Sequence, residues 1–209
     1  MSRFSQAISA RPCAAAWLLL ALLPVPCLAA AASGDAATAT VRDALQKATA
    51  VSSTERTRDD QLEALRALAR ELVDTRAMGQ RALGGTFDSC TAGQQEEFLR
   101  LFDELIVRAY LQKLLLFRDP KFRFRPQEQR GDAVMVFSQV AMGKDTYEVS
   151  YEMRQEKEQW LATDIVVEGV SLSSNYADQF SSLLKTRPFD DLLDLMRRKV
   201  EHFRSPEAK

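Results

Sequence analysis

The amino-acid sequence predicts an α+β fold: N-terminal helices, a four-stranded twisted antiparallel sheet, then C-terminal helices. Apolar residues recur at helical spacing as far as about Phe117. They switch to strict alternation between Lys121 and Gly169, and return to helical spacing from Tyr176 onward. Helices and strands segregated in this way along a chain give α+β rather than interleaved α/β architecture. Short polar turns between the alternating segments make the sheet an antiparallel meander.

The elements follow in order. Val41, Leu45 and Ala48 share one helical face, and the run Val51-Ser52-Ser53-Thr54 breaks that helix. Leu62, Leu65, Ala69 and Leu72 repeat the spacing in a second helix. Asp74-Thr75 caps a short third helix that runs to Leu83 and ends at Gly84-Gly85. Thr91 with Gln94 three residues on forms a capping box for a long helix reaching about Phe117. Its apolar arc of Phe98, Leu101, Phe102, Leu105, Ile106, Ala109 and Tyr110 is so wide that it must be covered on more than one side. Four alternating segments follow, with Phe122, Val134, Tyr147 and Trp160 near their starts. Their turns fall at Gly131-Asp132, Gly143-Lys144-Asp145 and Gln155 to Glu158. The last strand breaks at Glu168-Gly169, and Ser171 to Asn175 start a helix faced by Tyr176, Phe180, Leu183 and Leu184. Pro188 opens the final helix, whose stripe is Phe189, Leu192, Leu193, Met196, Val200 and Phe203.

Residues 1–32 read as a cleaved secretory signal, leaving 33–209 as one domain. Arg3 and Arg11 supply the positive region, and Cys13 to Leu23 is an apolar stretch too short to span a bilayer. Small residues from Ala29 to Ala32 follow Pro24 and Pro26. Lipidation at Cys27 is disfavoured by Pro26 immediately before it. Cleavage removes two of the 28 basic residues and none of the 29 acidic ones, moving the formal charge from −1 to −3. So balanced a chain does not have the basic excess of a nucleic-acid binder. Cys90 is then the only cysteine left, so no internal disulfide is expected and the core alone must hold the fold. Burial is the expected state of its thiol. An ordinary domain of about 175 residues buries roughly 70% of its unfolded surface, which suffices.

The sequence has no P-loop, dinucleotide fingerprint or Gly-x-Ser-x-Gly elbow, and its one histidine, His202, cannot form a His-rich metal site and has no partner cysteines beside it. Ser173, Ser174 and Asn175 serve better as helix caps than as nucleophiles. Strand alternation places Asp164 and Glu168 on the face of Trp160, Ala162 and Val166. An enclosed Asp164 carboxylate could act as a general base, although most such groups only receive backbone hydrogen bonds. Arg118, Lys121, Arg123, Arg125 and Arg130 form a basic run. It reads first as the solvated face of an edge strand, and it is compatible with docking of a partner, for which Arg118, Lys121, Arg123 and Arg125 are the candidates.

Phe98, Phe102, Leu105 and Tyr110 of the long helix point inward, as do Val134, Val136, Tyr147, Val149 and Tyr151 of the sheet. Periodicity does not decide whether they pack together or line a hollow. The segments Asp74 to Gly84, Phe98 to Leu111 and above all Trp160 to Phe180, continuing to Phe189-Asp190, resemble the MlaC or toluene-tolerance family. These are the phospholipid-binding components of the Mla lipid-transport system. Thr163 stands where that family usually has an aromatic, and Phe137 and Gln139 stand where it tends to have arginines.

The resemblance implies a cone-shaped domain like nuclear transport factor 2, with an elongated apolar pocket for acyl chains and the headgroup left outside. Trp160 and Val166 would then wall the pocket from the last strand, and Tyr176 and Phe180 from the following helix. It implies a periplasmic, non-enzymatic carrier that needs no cofactor and has phospholipid as cargo. The implied partners are an inner-membrane ABC transporter with an MCE-domain subunit and an outer-membrane lipoprotein–porin complex. At about 0.8 kcal/mol per methylene, two acyl chains represent on the order of 25 kcal/mol of transfer free energy. Release into water is then negligible, and handover must occur while docked. Two rivals make different demands on the structure. An isomerase or dehydratase of the same cone shape needs a small polar pocket around Asp164. A ligand-free interaction module needs a filled core.

Overall fold

The computed structural model describes residues 29–54, 57–114 and 120–204. The proposed signal sequence up to residue 28 and Arg118 lie outside the described residues. The helices are α1 (Ala29–Ser52), α2 (Arg58–Leu72), α3 (Thr75–Leu83), α4 (Gly85–Ser89) and α5 (Ala92–Leu114). The strands β1 (Lys121–Arg130), β2 (Ala133–Met142), β3 (Asp145–Glu156), β4 (Gln159–Val167) and β5 (Val170–Ser171) follow, then α6 (Leu172–Leu184) and α7 (Phe189–Arg204). Side-chain caps start the helices where the sequence places them. Asp74 accepts from the Ala77 amide at 2.8 Å, and Thr91 and Gln94 exchange hydrogen bonds at 3.1 and 3.3 Å.

The strands pair in sequence order, each antiparallel to the next. The fold class is the expected one, with two differences of detail. First, the sheet has five strands rather than four. Glu168 (φ 50°) and Gly169 (φ 79°) both take left-handed backbone, making a two-residue hairpin turn that folds Val170 and Ser171 back onto Val167 and Val166. Second, β4 carries a bulge. Glu152 pairs with Asp164 but Met153 pairs with Ala162, so Thr163 is the extra residue. Each residue beyond the bulge changes face, and Asp164 and Val166 lie on the side opposite Trp160 and Ala162. The shared face expected from simple alternation is thereby corrected.

Two main cores result. In one, α3, α5, α6 and α7 pack around Phe98 and Phe102, both fully buried. In the other, Ala37 and Val41 of α1 cover Val134, Val136, Tyr151, Met153 and Ala162 on the concave face of the sheet. Gly79 of α3 permits the close approach of α5, since a Cβ there would lie 3.1 Å from Leu99 Cδ2 and from Phe102 Cδ1. Cys90 is half-buried, its thiol donates to the Thr86 carbonyl at 3.3 Å, and burial pushes its pKa up.

Arg81 of α3 ties the helical core to the convex side of the sheet. It donates to both oxygens of Glu152 at 3.1 and 2.8 Å and lies 3.5 Å from Asp164. The guanidinium holds the Glu152 carboxyl below its usual value. A carboxyl whose pKa is depressed on folding adds stability above its unfolded pKa and loses it as pH falls through the lower folded value. Arg81→Gln is therefore expected to cost about 1 kcal/mol at pH 7, allowing for partial exposure, and less at pH 3. Urea midpoints of both proteins at the two pH values check this.

Candidate functional site

Between the concave face of the sheet and the α1–α2 pair lies a cavity of about 590 Å³. Strand alternation aims Phe122, Val140, Met142, Tyr147, Val149, Tyr151, Ile165 and Val167 into it. The roof is made of Ala44, Leu45 and Ala48 from α1 and Leu65, Leu68, Ala69 and Leu72 from α2. Ile106, Val107 and Tyr110 of α5 and Leu172 of α6 close one side, with Val73 and Thr75 beside them. The three alanines matter most for volume, because short side chains at one-turn spacing leave the helices standing over space they do not fill.

The wall is dry in its chemistry. Among its described residues Thr75 is the one polar residue besides the tyrosines, and its hydroxyl donates to Asp103 at 2.9 Å. Ser138 donates to the Val149 carbonyl at 3.1 Å and is hydrogen-bonded to the Tyr151 hydroxyl, whose pKa burial pushes up to about 12. Tyr151 is thus a neutral, satisfied phenol presenting its ring to the cavity. Leu65, Leu72, Ile106, Val107 and Tyr151 are buried, whereas Tyr110, Phe122, Met142, Tyr147 and Val167 are half-buried. Phe122, Met142, Tyr147 and Val167 lie toward the sheet end where β1 begins, β2 turns into β3 and β4 turns into β5.

Of the residues expected along a pocket, Tyr110, Tyr147, Val149 and Tyr151 are on this wall. Phe98, Phe102, Leu105, Tyr176 and Phe180 belong instead to the helical core. Their rings contact one another: Phe98 and Phe102 stack at 5.7 Å, and Phe102 meets Tyr176 edge-on at 5.3 Å. Val134, Val136 and Trp160 pack with α1 beyond the closed end. Val166 is turned to the convex face by the bulge, opposite Ser150. Most of the roof was missed by the sequence reading. Its helical stripes were visible in Leu45, Ala48, Leu65, Ala69 and Leu72, but periodicity gave no reason to separate them from an ordinary core.

Asp164 does not reach the cavity. It is 4% exposed and accepts hydrogen bonds from the amides of Ile165 at 2.9 Å and Ser173 at 3.2 Å, and from the hydroxyls of Ser171 and Ser173. Ser171 in turn accepts from the Ser174 amide at 3.0 Å, so this cluster caps α6. On the convex side of β1, Lys121, Arg123 and Arg125 are exposed. Arg125 is engaged within the sheet, pairing with Glu148 and lying 5.6 Å over the Phe137 ring, and Gln139 donates to the same Glu148 at 2.6 Å. His202 is exposed on α7, and no cluster among the described residues has metal-holding composition.

Fold and site together define an α+β domain with an apolar cavity between its sheet and its helices. The profile of the MlaC protein family matches residues 37–198, and the chain belongs to that family. It is 25% identical over 132 residues to the intermembrane phospholipid transport system binding protein MlaC of Haemophilus influenzae. That match covers 60% of this chain and 62% of the relative, so it spans about three fifths of the relative's length. The fold is shared with a phospholipid-binding protein from Ralstonia solanacearum solved in complex with a phospholipid. The TM-score is 0.72 at 22% identity, covering 81% of this chain and 99% of that one.

Proposed function

We propose that this protein is a periplasmic phospholipid carrier that encloses acyl chain in its cavity, holds the headgroup at the mouth, and passes lipid between membrane complexes. The observation that carries the reading is the 590 Å³ cavity, whose described wall is almost wholly hydrocarbon. Its size falls in the range of small-molecule sites, but the convergent polar groups that orient a reacting substrate are missing from its wall. That favours a carrier over the isomerase or dehydratase reading, as does the placement of Asp164 behind the sheet. A hollow of this size also speaks against an interaction module with a filled core. Family membership and the lipid-bound complex of the Ralstonia solanacearum protein support the choice of phospholipid as cargo.

The same physics sets the manner of exchange. Each chain of typical length gains on the order of 12 kcal/mol on leaving water, so the carrier gives up lipid only to an apolar path that replaces its wall. The partners in this reading are an inner-membrane ABC transporter with an MCE-domain subunit and an outer-membrane lipoprotein–porin complex. The signal at residues 1–32 delivers the chain to the periplasm. No helix among the described residues is long and apolar enough to cross a membrane.

Protein purified without detergent is expected to carry phospholipid, seen by native mass spectrometry and by extraction. Empty protein from lipid-replete cells would sink the reading. Lys121, Arg123 and Arg125 are proposed to meet a partner, with Arg118 beside them in sequence. Reversing the charge of Arg123 and Arg125 should weaken binding to at least one membrane complex by tenfold or more, measured by surface plasmon resonance at physiological salt. Unchanged binding to both would remove the docking role.

A further inference from the structure

The cavity stops along the strands at a definite level, and one side chain stands where it stops. Paired residues on the concave face form successive rungs across the sheet. Phe122, Val140 and Tyr147 share the first rung, and all three are on the cavity wall. Val149 and Val167 of the second rung are on the wall, as are Tyr151 and Ile165 of the third. Val134, Met153 and Ala162 follow at the fourth; they are at most 1% exposed and pack against α1 instead. Helix α1 changes role at the same level. Ala44 borders the cavity, whereas Val41, one turn earlier, is fully buried against the sheet.

Ser138 fixes the direction of the Tyr151 ring. It shares the second rung with Val149, yet it is fully buried and is not on the wall. The Tyr151 phenol, hydrogen-bonded to Ser138, lies over it and leans from the third rung back toward the hollow. Tyr151 is therefore at once the last residue of the cavity on β3 and part of the packed cluster behind it.

Resting on the carrier reading, we infer that Tyr151 is the stop against which acyl-chain ends come to rest, so that this ring, held by Ser138, sets the chain length the protein prefers. The stop acts on depth, not on the number of chains. Each methylene that leaves water raises affinity about fourfold, so affinity climbs with chain length until the chain end meets the ring. Carbons added beyond that length stay outside or press on side chains packed at crystal-like density, and the gain ends.

The test is a titration of lipid-stripped wild type, Tyr151→Phe and Tyr151→Leu with saturated phosphatidylglycerols from dilauroyl to dibehenoyl. Each lipid is delivered from cyclodextrin and followed by displacement of a fluorescent phospholipid analogue. The phenylalanine variant keeps the ring. The leucine variant removes it, while Ser138 still donates to the Val149 carbonyl. Wild type and the phenylalanine variant are expected to level off at the same chain length. Relative to wild type, the leucine variant should gain about fourfold or more on the next longer lipid. A leucine profile that coincides with the wild-type one, or a wild-type affinity that climbs without a break, overturns the stop and leaves the carrier reading standing. Wild type that binds none of the series overturns the carrier reading itself. A phosphatidylglycerol with a diazirine at its chain end, photolysed on wild-type protein and mapped by peptide mass spectrometry, needs no substitution and decides the matter if the leucine variant does not fold. Label at Tyr151 or Ile165 is expected, and label at neither overturns the inference.

Discussion

Asp164→Ala is expected to destabilise the protein by about 3 to 5 kcal/mol, the range for stripping one member from a buried, hydrogen-bonded charge cluster. The carboxylate is 4% exposed and serves four donors: the Ile165 and Ser173 amides and the Ser171 and Ser173 hydroxyls. Removing it leaves the fully buried Ser173 hydroxyl and amide without their acceptor, and leaves Arg81 without one of its two carboxylate neighbours. The first turn of α6 loses its anchor to β4 at the same stroke. Asp164→Asn keeps one acceptor oxygen and should cost less, by a third or more. Denaturant unfolding of both variants measures the difference. Lipid content per folded molecule should stay at the wild-type level in the Asn variant, because Asp164 does not border the cavity. Wild-type stability of Asp164→Ala, or selective loss of lipid in folded Asp164→Asn, would refute this role.

Ala69→Trp is expected to lower the lipid carried by the folded protein at least tenfold while leaving its thermal midpoint unchanged or higher. Ala69 lies on the roof of the cavity, and its side chain is a single methyl group. An indole in its place takes up cavity space, so the substitution fills a void more than it overpacks the neighbouring Leu65 and Val107 cluster. The helix-propensity cost of tryptophan relative to alanine is about 0.5 kcal/mol, smaller than the gain from burying the new apolar surface. Lipid extraction paired with a thermal melt separates loss of binding from loss of fold. Wild-type lipid content in a well-folded Ala69→Trp protein would show that lipid binds elsewhere.

Much of the architecture was legible because it depends on short-range chemistry. Asp74, Thr91 and Gln94 cap helices where they were read to do so, and the switch from helical to alternating spacing marks the sheet. In the sequence Glu168-Gly169 signals only a break, because Glu at a left-handed position is uncommon and gives no turn signal. The bulge at Thr163 left no trace in the apolar pattern, yet it moved Asp164 and Val166 to the other face. The aromatic arc of α5 needs covering on several sides: α3, α6 and α7 cover Phe98 and Phe102, whereas Ile106 and Tyr110 border the hollow under the alanine-lined helices.

The sequence by itself determined which residues leave water: their spacing sets the elements, the faces those elements bury, and the α+β class. The Trp160 to Phe180 block was enough to indicate the family. Only the tertiary structure decided where burial is dense and where it is empty. Phe98 and Phe102 meet other rings across α6 and α7, while Ala44, Ala48 and Ala69 present only methyl groups to the cavity. The hydrophobic effect drives apolar residues inward irrespective of what they then touch, so the pattern that records burial is blind to packing. Contacts between residues far apart in the chain separate a core from a lipid-sized cavity.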